Sequence, residues 1–228
     1  MDPAANPGSF RLAVVLIATL AAVSGAVDVV SLVYAEVFVA NQTGNLVVVA
    51  AASLSSGDRV ALAVTALVCF TVGVVGAALI RRAMRPRFSL TVVRETQLAV
   101  EVVLVVSAAV LLAVTPSDRG LRLLAPIGLL ALSQGIQSVL LTRLLGRGVR
   151  TVAVTGPLTD AIVQGVDSWG RPSTPDGNRR RLVLLAVATP AGYAAGAALG
   201  ALAVRSGAHV GLVAAVLLSL LNWRWASG

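Results

Sequence analysis

Apolar residues along the chain gather in long runs separated by short clusters of arginine, proline and glycine. Six runs, at about 11–33, 60–80, 95–115, 121–142, 182–204 and 208–223, approach the roughly 20 helical residues needed to cross a hydrocarbon layer of ~30 Å. The last is short and ends in Trp223 and Trp225, which read as an interfacial belt. Two further apolar segments, 46–54 and 158–166, are too short to span, and each follows a Thr-Gly pair. The pattern predicts an all-α membrane protein of six transmembrane helices with two short broken, re-entrant helices.

The two halves resemble each other. Gly25 with Asp28 precedes Asn41-Gln42-Thr43-Gly44-Asn45 much as Gly135 with Gln137 and Ser138 precedes Val154-Thr155-Gly156-Pro157, and Gly76-Ala77-Ala78-Leu79 recurs as Gly196-Ala197-Ala198-Leu199. Matches in the same order predict a duplication, with residues 1–117 and 118–228 as halves of one integral membrane domain. Three spans per half make the repeat inverted. Short, glycine-interrupted segments at matching places in two halves point to discontinuous helices at a transport site.

Composition agrees. Of 228 residues, 57% are hydrophobic and 12% charged, where a soluble domain carries about a quarter charged. All 18 basic residues are arginine, which together with the Ala/Val/Gly/Leu bias suggests a bacterial source. Net charge is +8, but no basic run is interleaved with aromatics, so the partner it implies is the lipid bilayer rather than nucleic acid. With re-entrant short segments, 14 arginines fall on one side and four (Arg59, Arg119, Arg122, Arg205) on the other. By the positive-inside rule this predicts the cytoplasmic membrane with both termini cytoplasmic. The N-terminal run imitates a signal peptide but carries Asp2 and continues past Ser24-Gly25-Ala26, so it reads as a retained first helix.

Gly25-x-x-Asp28 with Phe38-Val39-x-Asn41-x-Thr43-Gly44-Asn45, and Gly135-Ile136-Gln137 with Val154-Thr155-Gly156-x-Leu158-Thr159, resemble the two hallmarks of the YoaK-like family (domain of unknown function 1275). Ser138 departs from the Asn common at that place. The resemblance implies a multi-pass bacterial membrane protein and supplies no function.

Few residues offer chemistry. Asp28 lies within the first span, where an ionised group costs roughly 2.5–3.5 kcal/mol and needs a partner. Either it serves as a substrate or proton-coupling group, or it fixes the backbone of the break through N–H groups. Thr43-Gly44-Asn45 and Thr155-Gly156 are expected to start the short helices, with Thr as N-cap. Half-helix N-termini there favour an anion or a polar solute, unless Asp28, Asn41, Gln42 and Gln137 satisfy those groups. Gln134 and Gln137 share a helix face with Ser133 and Ser138 near it. Asp160 reads as a cap of the second short helix, Glu101 as a second proton-coupling candidate and His209 as interfacial. Gly192, Gly196 and Gly200 form a stripe for helix packing, within the monomer or in a homo-oligomer. Lone Cys69 excludes an intrachain disulfide. No metal, cofactor or nucleotide motif and no nucleophile–base pair appears, so the chain is read as a non-enzyme. The leading expectation is a small-solute transporter or channel, and the other is a non-transporting membrane interaction or regulatory protein whose polar motifs are structural.

Overall fold

A computed structural model describes residues 7–51, 54, 57–114, 120–144, 159, 162–163, 166, 177–205, 212 and 215–216. They are helical almost throughout: α1 (Pro7–Ala35), α2 (Gln42–Ala50), α3 (Gly57–Met84), α4 (Leu90–Val114), a 3-10 turn (Leu121–Leu123) running into α5 (Leu124–Leu144), and α6 (Gly177–Val204). All except the nine-residue α2 contain segments long and apolar enough to cross a membrane, so five such spans lie among the described residues. The sixth expected span lies outside them except for Leu212, Ala215 and Val216, which are helical. The fold is that of an all-α membrane protein.

Burial divides the spans into two classes. The apolar windows of α1 and α5 are each 67% buried, against 22% for α3 and 28% for both α4 and α6. The first two therefore form the centre, and the others turn residues such as Val68, Val72, Val103, Val110 and Leu202 outward, as lipid-facing helices do. Lipid tails are as apolar as leucine, so close packing rather than water exclusion must hold such helices together.

Glycine provides that packing. On α6, a Cβ at Gly192, Gly196 or Gly200 would strike the backbone of Ala18, Ala22 or Ala26 respectively. Rising numbers meet rising numbers, so α1 and α6 run parallel. The stripe read as a packing surface is thus filled by α1 within the monomer. Helices α3 and α5 are also parallel, with Gly128 against Cys69 and Thr65, and Gly135 against Phe70 and Val74.

The two crossings correspond position by position. Gly25 meets Tyr193 O and Ala197 N, as Gly135 meets Phe70 O and Val74 N. Gly196 meets Ala22 O, as Gly73 meets Leu132 O. Gly192 adjoins Ala18, as Cys69 adjoins Gly128. One interval, 110 residues, carries α1 onto α5, and another, 123, carries α3 onto α6. The sequence match of Gly76 to Gly196 is therefore three residues out of register. Gly73 is the packing counterpart of Gly196, and a Cβ on Gly76 would meet nothing within 4 Å. Small residues recur so often in these helices that a four-letter match does not fix register.

The helix ends define two faces. Glu36, Asp58, Arg59 and Gly120 line one small cavity, which brings the end of α1 and the starts of α3 and the 3-10 turn together. Arg81, Arg85, Leu90 and Leu140 line a cleft at the other end of the bundle, where α3 and α5 finish and α4 begins.

Candidate functional site

After Ala35 the chain turns back toward α1. Glu36 adopts a left-handed conformation (φ 56°), which ends α1 and turns the backbone back along it. Arg59 closes this bend: its Nε donates to the Glu36 carbonyl at 3.1 Å, and its guanidinium lies 3.8 Å from the Glu36 carboxylate. The end of α1 and the start of α3 thus share one face of the bundle.

At the inner end of the excursion stands Asp28. Its Oδ1 accepts from the N–H groups of Val39 (2.8 Å) and Ala40 (2.7 Å), and its Oδ2 from the N–H of Asn41 (3.1 Å) and the Tyr193 hydroxyl (2.7 Å). Successive backbone N–H groups aimed at one point form an anion-binding nest. Here the resident anion is the chain's own carboxylate, only 1% exposed. The three N–H bonds tie the backbone of the break to α1.

The rest of the bend is secured by α2's own side chains. Asn45 accepts from the Phe38 N–H at 2.9 Å and donates to the Phe38 carbonyl at 2.6 Å, so its amide imitates a neighbouring strand. It also donates to Gln42 Oε1 at 2.8 Å, and Gln42 Nε2 donates to the Val39 carbonyl at 2.7 Å. Gly44 lies under the Phe38 ring, where a Cβ would collide with the ring edge. Thr43 does not cap α2, contrary to its expected role. The helix begins at Gln42 with Asn41 at the cap position and no side-chain cap bond. Instead the Gln42 N–H bonds the Ala40 carbonyl at 3.1 Å, the Gly44 N–H bonds the Asn41 carbonyl at 3.2 Å, and Asp28 takes the Asn41 N–H. Asn41 and Thr43 are left exposed.

Gln137 belongs to a different cluster, one turn along α1. Its Nε2 donates to the Leu20 carbonyl (2.8 Å) and to Ser24 Oγ (3.1 Å). Ser24 in turn donates to Gln134 Oε1 at 2.7 Å, and Gln134 Nε2 reaches Gln137 Oε1 at 3.3 Å. All three side chains are fully buried, so the network pins the two central helices to each other. Ser138 bonds back to the Gly135 carbonyl at 2.7 Å. Glu101 is fully buried on α4, one turn from Gln97, whose amide donates to the Ala77 carbonyl at 3.0 Å. Thr155, Gly156 and Asp160 lie outside the described residues, as does His209. No group of three or more metal-binding side chains occurs among the described residues.

Sequence reasoning missed Tyr193, Ser24 and Arg59. Tyr193 left a signal: a phenol in a span of Gly and Ala needs an acceptor, and an intramembrane carboxylate needs a donor.

No curated protein and no solved structure matches the chain. The profile of the family described as "Protein of unknown function (DUF1275)" matches residues 16–223, which covers both central helices, the break and the networks around it. The chain therefore belongs to that family.

Proposed function

We propose that the chain is a small-solute transporter or channel of the bacterial cytoplasmic membrane, built on an inverted repeat, with its solute path beside the re-entrant break. The observation that carries the reading is the break itself. Irregular backbone at membrane depth is tolerated where it is buried in protein or lines a water-filled cavity, and here Asn41 and Thr43 remain exposed after the backbone has been satisfied. Their amide and hydroxyl suit a small polar solute, neutral or anionic. Asp28 acts as a positioning residue that shapes the break. Gly44, Gln42 and Asn45 hold it, Thr155 and Gly156 are assigned to the second break, and Glu101 is the proton-coupling candidate.

Supporting the inverted repeat, the parallel pair α1/α6 runs opposite to the pair α5/α3, and matched contacts relate them by intervals of 110 and 123 residues. A two-fold axis in the membrane plane has this effect. Supporting cytoplasmic termini, the starts of α1 and α6 lie on the face that bears Arg81, Arg82, Arg85 and Arg87, opposite Arg59 and Arg122. The reading assigns no covalent chemistry to the chain.

The test is osmotic. Proteoliposomes are challenged with gradients of formate, nitrate, urea and glycerol and followed by stopped-flow light scattering. At least one solute is expected to cross about tenfold faster than in empty vesicles, and Thr43→Val or Asn41→Leu to remove most of that gain. Rates equal to empty vesicles for all four would favour the other reading, a non-transporting membrane interaction or regulatory protein. That reading draws on the completeness with which Asp28, Gln42 and Asn45 satisfy the bend.

A further inference from the structure

Two neighbouring helices weaken at one level. Pro190 sits inside α6 and carries no N–H, so the Ala186 carbonyl one turn back loses its helical donor. Beside it Thr189 is fully buried, and its Oγ1 has no hydrogen-bond partner among the described residues. On α1, the Thr19 hydroxyl donates back to the carbonyls of Val15 (2.8 Å) and Leu16 (3.2 Å), a bond that bends helices. The contacts of Gly192 with Ala18, Gly196 with Ala22 and Gly200 with Ala26 all join residues 174 apart. The same register sets Thr189 level with Val15 and Pro190 level with Leu16. The carbonyls that Thr19 takes on α1 thus stand at the height of the Thr-Pro pair on α6.

The two helices are held differently on either side of this level. Toward the break, glycines lock α6 to α1, Tyr193 reaches Asp28, and Gln137 holds Leu20 and Ser24. Toward the face that bears Arg81 and Arg85, an apolar seam of Ile17, Leu20, Leu98, Leu140 and Ala188 joins α1 and α6 to α4 and α5. Lipid tails are as apolar as these side chains, so they replace such contacts at little cost. The pair α3/α5 has no matching weak level. Intervals of 123 and 110 residues carry Thr189, Pro190 and Thr19 onto Ala66, Leu67 and Leu129.

We infer that Thr189-Pro190 is a hinge, about which the arms of α1 and α6 on the arginine-bearing side swing together. In the bent state Thr189 Oγ1 donates to the Ala186 carbonyl that Pro190 leaves, which gives the buried hydroxyl its partner. The arm from Gly177 to Thr189 is about 20 Å long, and a bend of about 20° moves its end about 7 Å. The swing parts the seam at Leu98 and Leu140. That it admits solute toward the break rests on the transport reading, whereas the motion is measured without solute.

The experiment places paired spin labels on the full chain in nanodiscs, in a Cys69→Ser background, and reads distances by double electron–electron resonance. Asn178→Cys with Arg87→Cys relates the end of the α6 arm to the turn between α3 and α4. Leu202→Cys with Val114→Cys, both exposed, watches the opposite face. The first pair is expected to show two distance maxima about 5–7 Å apart, and the second pair one. Pro190→Ala restores the missing N–H and is expected to leave a single maximum in the first pair. Thr189→Val keeps the shape without the hydroxyl and is expected to cut the displaced population at least about threefold. A single maximum in the first pair of the unaltered helix would overturn the hinge, and so would equal splitting in the second pair. Two maxima that persist in both Pro190→Ala and Thr189→Val would remove it from this position. Should Pro190→Ala not fold, the unaltered helix and Thr189→Val decide. Two maxima in a protein without flux would uphold the hinge and leave only its use in transport refuted.

Discussion

Ser24 Oγ lies 2.7 Å from Gln134 Oε1, and the 110 residues between them are also the interval that carries Gly25 onto Gly135. Counterparts that touch each other must straddle the axis relating them, so under the proposed two-fold relation this hydrogen bond marks where the axis passes. The same intervals pair Asp28 with Ser138 and Tyr193 with Phe70. Under that relation the paired positions differ in chemistry: Asp28 accepts from the Tyr193 phenol across the two halves, while Ser138 spends its hydroxyl on its own helix.

Glycine substitutions separate real packing register from sequence coincidence. Gly196→Ala drives a Cβ into the Ala22 backbone and is expected to cost about 1–3 kcal/mol. Gly76→Ala meets nothing and is expected to be neutral or to gain up to about 1 kcal/mol in helix propensity. Thermal unfolding in detergent ranks the two, and equal midpoints would refute the 123-residue register.

Asp28→Asn turns an acceptor-only group into one that presents N–H donors to other donors. With four hydrogen bonds at stake, the expected loss is about 3 kcal/mol. Tyr193→Phe removes one donor and is expected to cost about 1–2 kcal/mol. Because the two residues share a bond, the double variant should fall short of the sum by about 1 kcal/mol. Hydrogen exchange provides the local readout: the Val39 and Ala40 amides should exchange faster in Asp28→Asn while those at the centre of α4 stay unchanged. Unchanged protection at Val39 and Ala40 would remove the positioning role.

Much of this was legible in the residues, and what was not has identifiable causes. The apolar run at 11–33 anticipates α1, and the one at 121–142 anticipates the 3-10 turn plus α5, because bilayer crossing imposes length and hydropathy together. Asp28 announced itself by its cost. Its partner Tyr193 did not, since nothing in local periodicity links positions 165 apart. Thr43 misled because capping preference presumes a helix whose first N–H groups lack partners, and here the Gln42 and Gly44 N–H groups bond the Ala40 and Asn41 carbonyls instead. The glycine stripe of α6 revealed a packing face without saying that α1 fills it.

At the break, stability and exposure part company. Asn45→Ala loses both bonds to Phe38 and the one to Gln42 and is expected to cost about 2 kcal/mol. Thr43 is exposed and caps nothing, so Thr43→Val is expected to stay within about 0.5 kcal/mol. Unfolding curves for the two variants check this. A stable Thr43→Val protein is also what allows its flux to be interpreted.

Sidedness tests the re-entrant course. The nine residues of α2 rise about 14 Å, less than half of the ~30 Å core, and Arg59 reaches the Glu36 carbonyl from the start of α3. Both observations support the proposal that the chain enters and leaves by one face. In a Cys69→Ser background, a membrane-impermeant maleimide added to intact spheroplasts is expected to label Glu36→Cys and Asp58→Cys alike. Arg87→Cys, at the opposite ends of the spans, should react only after permeabilisation. Labelling of Glu36→Cys and Asp58→Cys from opposite sides would mean that the 37–56 segment crosses completely. The bend at Glu36 and the Asp28 nest would then need another explanation.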